Sequence, residues 1–420
     1  MKKNHKNFAT MGKAVLFGLV VMGFGNTVCA QGPAKKPTPP PASPIVIDTN
    51  FVVQQKMQGH SNYAKAMAYS PDGKFLVTAA WDTKVNVYAL DSNTGVGPVV
   101  RTFDGFKSLV NSLAFSKDGK MLGMGSKDFS FRVNNIETGD VVFQTQDHKD
   151  AITSVKFEPA GKYAYTSSLD GTLRMYDVAQ PLNNLKPKFI DYGKPINDFL
   201  LSSGTKQLYV VASSGSDIEV IDFAKTLIRS YKGHTAGVTC LDISANKKMM
   251  ASGSLDKTVI VWDVATGAII KKFEGHTWKV NSVNFSKDGK YVVSACNDGE
   301  TRVWEIATGN CVAILKSFIT NAQQAQFSPN GKRIAVVGAM EAQGNNYGAV
   351  IYKTPEMKPK VAAGKGGVSG TTGTGTGTGK PGSGSSGVNT PANTTPVTPK
   401  RTVTKYEGDV WPPPAPKKKK

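Results

Sequence analysis

Residues 280–294 read Val280-Asn281-Ser282-Val283-Asn284-Phe285-Ser286-Lys287-Asp288-Gly289-Lys290-Tyr291-Val292-Val293-Ser294. Two apolar runs flank a five-residue turn, which is hairpin syntax, with Asp-Gly supplying the positive backbone dihedrals that a tight turn requires. The turn returns as Ser70-Pro71-Asp72-Gly73-Lys74, Ser116-Lys117-Asp118-Gly119-Lys120, Glu158-Pro159-Ala160-Gly161-Lys162 and Ser328-Pro329-Asn330-Gly331-Lys332, with weaker copies at Ser202 to Lys206 and Ser244 to Lys248. Successive copies start 42 to 46 residues apart. A period near 42 is the signature of a repeat architecture.

A third strand follows each hairpin, clearest at Thr258-Val259-Ile260-Val261-Trp262-Asp263 and Glu300-Thr301-Arg302-Val303-Trp304-Glu305. These strands are apolar at nearly every residue, the pattern of burial on both faces. A fourth, such as Ala268-Ile269-Ile270-Lys271-Lys272-Phe273, leads into Gly275-His276. Four strands per unit describe a propeller blade.

Gly-His, a central Asp and a terminal Trp-Asp at this spacing resemble the WD-repeat β-propeller family over residues 51 to 353. The resemblance implies an all-β, seven-bladed propeller in which four side chains per blade form a hydrogen-bonded tetrad. The fullest sets are His234, Ser252, Asp256 and Trp262, and His276, Ser294, Asp298 and Trp304. Blades one and three keep His60, Thr78 and Asp82 with Tyr88, and His148, Thr166 and Asp170 with Tyr176. Blades two, four and seven depart, with Phe106, Lys194 and Phe318 at the His position. Residues 51–57 read as a fourth strand with no blade before it, and blade seven lacks one after Tyr352. Residues 51–57 are therefore expected to complete blade seven, so that no long edge stays open.

His, Ser and Asp together invite a nucleophilic triad. An enzyme needs one such constellation with an exposed nucleophile, whereas similar trios recur here in four blades at the same offsets. The expectation is a structural role and no enzyme. Cys240, Cys296 and Cys311 each fall on a strand where a small apolar residue would pack, and read as buried free thiols. No CxxC or His/Cys cluster in the sequence points to a metal site, and no cofactor is expected.

The 420 residues, 43 of them Gly, suffice for one large domain with extended ends. Lys2, Lys3, Lys6 and Lys13 precede an apolar stretch from Ala14 to Phe24, too short to span a bilayer. With Val28-Cys29-Ala30, the first thirty residues read as a signal peptide cleaved after Ala30, placing the protein in the periplasm or envelope of a bacterium. Cys29 opens a lipoprotein alternative that Asn26-Thr27-Val28 fits poorly. Residues 31–50 form a Pro-rich linker, 354–399 a Gly/Thr/Ser/Pro-rich flexible one, and 400–420 a basic Pro-rich segment; these extensions are expected to be disordered. The net charge of +20 divides as +5 over residues 1–49, +7 over 50–353 and +8 over 354–420. Charge concentrated at the ends, without interleaved aromatics, points away from nucleic acid. It leaves acidic proteins, or an anionic envelope polymer or lipid surface held by the tails, as partners.

Two candidate sites emerge. Tyr406, Val410 and Trp411 sit beside Pro412 to Pro414 and four terminal lysines, a candidate docking peptide. On the propeller, the family resemblance implies partner binding on the face carrying the loops beside each central Asp. The matching positions are Trp81, Lys127, Leu169, Leu255 and Asn297, with Tyr63, Lys65 and Lys279 at first-strand entries. The chain thus reads as a monomeric, non-catalytic interaction scaffold in a secretion or assembly complex, one face holding a protein while the tethered tail engages a second contact.

Overall fold

The computed structural model describes residues 51–179, 188–201, 207–212, 215–222, 224–316, 321–339 and 347–355. Every regular element among them is a strand, and the strands pair into four-stranded sheets. Blade one shows the plan. After a leading strand that belongs to another sheet, β1 (Val52–Lys56), come β2 (Ala64–Tyr69), β3 (Phe75–Ala80), β4 (Val85–Ala89) and β5 (Val99–Phe103), hydrogen-bonded in that order.

The repeated turn explains why each hairpin forms where it does. Ser286 Oγ donates to Asp288 Oδ1 at 2.6 Å and accepts from the Tyr291 amide at 3.0 Å, while the Lys290 amide reaches Asp288 Oδ1 at 3.1 Å. Gly289 takes φ 70°, where a side chain would be strained. The same box forms at Ser70 and Ser116, and Asn246 and Asn330 replace the Asp at Ser244 and Ser328. In blade three the Glu158 carboxylate takes the serine's place, accepting from the Tyr163 amide at 3.0 Å.

Third strands are buried on both faces as their composition requires: Val259, Ile260, Val261 and Trp262 are fully enclosed. Each core cluster spans neighbouring sheets. One joins Ala251, Val259, Val261 and Phe273 of blade five to Val280, Val283, Phe285 and Trp304 of blade six. Cohesion between blades is therefore hydrophobic.

Counted as units continuous in sequence there are six blades, not the seven of the expected fold class. The remaining four-stranded sheet is a composite in which β1 from the start of the ring joins Asn321–Phe327, Arg333–Ala339 and Ala349–Lys353 from its end. Its pairing is antiparallel, Val52 opposite Lys353 and Lys56 opposite Val350, and the Met57 amide adds a bond of 2.7 Å to Ala349 O. A Cβ on Gly348 would sit 2.0 Å from the Met57 carbonyl oxygen, so only glycine lets the two ends approach.

The innermost strands lie side by side, and Ala64–Tyr69 meets Asn321–Phe327 to close the circle. Side chains stitch this circle one repeat at a time. Asn111 donates to Ile152 O (2.9 Å), Thr153 to Ile196 O (2.7 Å), Asn197 to Val238 O (2.8 Å), Thr239 to Val280 O (2.6 Å) and Asn281 to Ala322 O (2.8 Å). Cys240, Cys296 and Cys311 are buried and unpaired. The expected signal segment, both linkers, the weaker turn at 202–206, Phe318, and Tyr406, Val410 and Trp411 lie outside the described residues.

Candidate functional site at the mouth of the channel

The tetrads position the loops of this face. In blade five the Trp262 indole N–H donates to Ser252 Oγ at 2.8 Å, Ser252 meets His234 Nε2 at 2.8 Å, and His234 Nδ1 meets Asp256 Oδ2 at 2.9 Å. Blade six repeats the chain at 2.8, 2.7 and 3.4 Å. In blades one and three His60 and His148 join Thr78 and Thr166 to Asp82 and Asp170, but the buried Tyr88 and Tyr176 hydroxyls find no well-formed partner. Blade two replaces the device with a cation–π pair, the Arg132 guanidinium 4.4 Å from the Phe106 ring.

Burial pushes the His148 and His276 imidazoles down against the pull of their aspartates. Burial alone would raise Asp256, but bonds from His234, Thr258 and Thr235 outweigh it and hold the carboxyl well below its ordinary range. Asp170 is likewise held down, to about 2. None of these hydroxyls faces solvent, so the trios fasten strands rather than attack substrates. His276, Cys296 and Asp298 do bring three metal-capable atoms together. All are engaged, however: Cys296 Sγ accepts from the Asp298 amide at 3.4 Å and donates to Trp278 O at 3.2 Å, and burial pushes its thiol up to about 12.

Fastened this way, the loops place the residue before each central Asp against the residue entering a first strand. Backbone bonds run from Trp81 to Tyr63 (3.1 Å), Lys127 to Leu109 (2.8 Å), Leu169 to Ala151 (3.0 Å), Leu255 to Gly237 (2.9 Å) and Asn297 to Lys279 (3.0 Å). With their backbones committed, these side chains point off the rim. Trp81, Leu169 and Leu255 are 43%, 37% and 46% exposed. Trp81 packs beside Tyr63 at 5.7 Å between ring centroids, and Tyr63 beside Tyr347 at 6.4 Å. Leu255, Lys279 and Asn297 line a shallow pocket of about 400 Å³ with Lys257, Thr277 and Trp278.

Inside the rim lies the ring's channel, a cavity of about 650 Å³ whose walls include Lys65, Leu169, Leu255 and Lys279 at the mouth. Burial, then repulsion from Lys279, pushes the Lys65 ammonium down to about 8. Deeper, Asp198 accepts from the Leu241 amide at 2.9 Å and pairs with Lys156 at 3.7 Å, and Asp242 accepts from the Phe285 amide at 2.7 Å. Burial raises Asp242 to about 6.

Sequence reasoning missed Trp278, at 61% the most exposed large apolar side chain of this face. The available signal was its place two residues after His276, where the other repeats carry Asn62, Asp150 and Ala236. Asp198 and Asp242 were missed because their partners lie one repeat away. Lys127 keeps its rim position without joining the Lys65–Lys279 mouth.

Five stretches, residues 51–88, 97–135, 139–177, 225–263 and 267–305, match the family model of the WD domain, G-beta repeat. These are WD40 repeats. Each matched unit starts on the fourth strand of one sheet and continues into the first three of the next, so the WD40 unit straddles blades. The fourth strands of blades three and six, the first three strands of blade four and the last three strands of the composite sheet fall outside the matches.

Among named proteins, the chain is 26% identical over 197 residues to a U3 small nucleolar RNA-associated protein 15 homolog of Xenopus laevis, covering 46% of this chain and 36% of that protein. It is 29% identical over 169 residues to U3 small nucleolar RNA-associated protein 21 of Saccharomyces cerevisiae, 40% of this chain and 17% of that one. To a guanine nucleotide-binding protein subunit beta of Oryza sativa subsp. japonica it is 26% identical over 228 residues, 51% and 60% of the two chains. The chain thus spans less than two thirds of each of these relatives. WD40 propellers are generally protein-binding scaffolds without catalytic activity. The relatives are eukaryotic and none is named for the periplasm. They overturn the expected export to a bacterial envelope.

Proposed function

We propose that this WD40 protein is a non-catalytic scaffold whose protein partner docks on the rim around the channel mouth. The observation that carries the reading is the set of side chains there: the backbone-fixed Trp81, Leu169 and Leu255, with Trp278, present apolar surface while Lys65, Lys127 and Lys279 supply positive charge. Apolar anchors held by a rigid frame cost little conformational entropy on binding, and flanking cations select an acidic partner and speed its approach. Tyr63 and Asn297 extend the same surface. The terminal segment with Tyr406, Val410 and Trp411 is a second contact in this reading, and tethering it raises the effective concentration of one partner for the other.

The test replaces Trp81 and Leu169 together with alanine. Both side chains are partly exposed, so the ring stays folded and its melting temperature holds within a few degrees. Capture of the partner is lost. An undiminished pull-down by a folded double variant would place the docking surface elsewhere.

A further inference from the structure

The wall of the channel mouth is built from one position per repeat: Lys65, Asn111, Thr153, Asn197, Thr239, Asn281 and Gln323. Six are neutral. Five of those stitch the ring by donating to a carbonyl of the next blade. Lys65 breaks the pattern, because its ammonium turns to the Gln323 side-chain oxygen instead. Lys279 lines the same mouth, and its carbonyl is fixed by the Asn297 amide at 3.0 Å.

Among the described residues neither ammonium forms an ion pair. The channel acids do not serve them, since Asp198 is taken by Leu241 and Lys156, and Asp242 by the Phe285 amide and the Asn284 side chain. Two half-buried cations that repel each other cost free energy that no ion pair among the described residues offsets. Such a pair makes sense if a negative group completes it. Leu169 and Leu255 line the same mouth, and Trp278 flanks the adjoining pocket, so the completing group arrives with apolar neighbours.

We propose that Lys65 and Lys279 form a carboxylate-binding site, and that it takes an acidic side chain projecting from the docked partner into the channel. The proposal rests on the rim being the docking face. A single carboxylate between the two ammonium groups gains charge-assisted hydrogen bonds in a site with little water, and relieves the repulsion between them. The Gln323 oxygen holds the Lys65 ammonium in position for it.

The experiment is calorimetric titration of the full chain with acetyl-Leu-Glu-Glu-Leu-amide, its Leu-Gln-Gln-Leu counterpart and inorganic phosphate. The glutamate peptide binds, and the glutamine peptide binds about tenfold more weakly or not at all. Lys65→Met and Lys279→Met each weaken the glutamate peptide about tenfold, whereas Lys74→Met, on the opposite face beside Asp72, leaves it unchanged. Affinity falls as pH rises through about 8, and Lys65→Arg removes that fall. Lys279→Met keeps the test open should Lys65→Met fail to fold.

Equal binding of the two peptides, or indifference to both lysine substitutions, overturns the proposal. Phosphate binding with the same lysine dependence and no peptide binding also overturns it, in favour of a free-oxyanion site. Partner capture separates the two readings. If it fails in the Trp81 and Leu169 variant but not in the lysine variants, the rim stands and the carboxylate site falls. The reverse pattern, capture lost in the lysine variants and kept in the Trp81 and Leu169 variant, keeps docking at the channel mouth but removes Trp81 and Leu169 as its anchors.

Discussion

At the scale of single residues, the position that closes each tetrad does unequal work in different blades. The Trp262 indole donates to Ser252, whereas the Tyr176 hydroxyl is buried without a well-formed partner. Trp262→Phe should therefore cost about 2 kcal/mol, from one lost hydrogen bond and a partly emptied site. Tyr176→Phe should be neutral or stabilising by up to about 1 kcal/mol, because it removes an unsatisfied polar group. Denaturant melts of both variants decide this. The channel acid Asp242 gives a pH signature. Its folded value, about 6, lies above that of an unfolded aspartate, so the folded state binds more protons between pH 4 and 6. Stability from this group is present at low pH and lost as pH rises through about 6. Asp242→Asn should flatten that part of the stability curve and raise stability at pH 7.5 by about 1–3 kcal/mol, as chemical melts at pH 5 and 7.5 would show.

At the scale of elements, local grammar was legible and cross-repeat chemistry was not. The Ser-x-Asp-Gly-Lys turn bonds entirely within six residues, Ser286 to Tyr291, so the sequence reads it directly. The stitches from Asn111 to Ile152 and from Thr239 to Val280 join positions 41 residues apart, and a strand's own pattern shows only which face a residue takes. Trp278 eluded the reading for a related reason: unlike Trp81 it does not precede a central Asp, and only the loop's place on the rim makes it surface. The turns also carry a removable cost. Lys247 holds φ 58° where the matching turns use glycine at about 70–75°, so Lys247→Gly should stabilise the protein by about 1 kcal/mol. At the seam, Gly348→Ala would thrust a methyl into the Met57 carbonyl and should cost about 2–4 kcal/mol. Melts report both.

At the scale of the whole molecule, the count of continuous units and the closure of the ring are one fact. Six blades are self-contained, and the composite sheet borrows β1 so that the two ends hold each other. The core cluster there unites Met57, Ala335, Val337 and Ile351 with Ala64, Met67 and Leu76 of blade one. Removing residues 51–57 exposes that cluster and the free edge of Ala349–Lys353, and should lower the melting temperature by about 10 °C or more. The strand order around the closure followed from sequence, because an orphan fourth strand and a missing one can only complete each other. What the ring holds did not follow, because a fold frames a site without specifying its occupant. The rim's chemistry supplies the sharper claim that a protein partner sits over the channel mouth. The most direct measurement places a photo-crosslinking amino acid at Leu255 on the rim or at Lys332 on the opposite face, and identifies the covalent adducts formed in the protein's own cells. A protein adduct from position 255 and none from position 332 is the predicted result. An adduct from position 332 with none from 255 would contradict it.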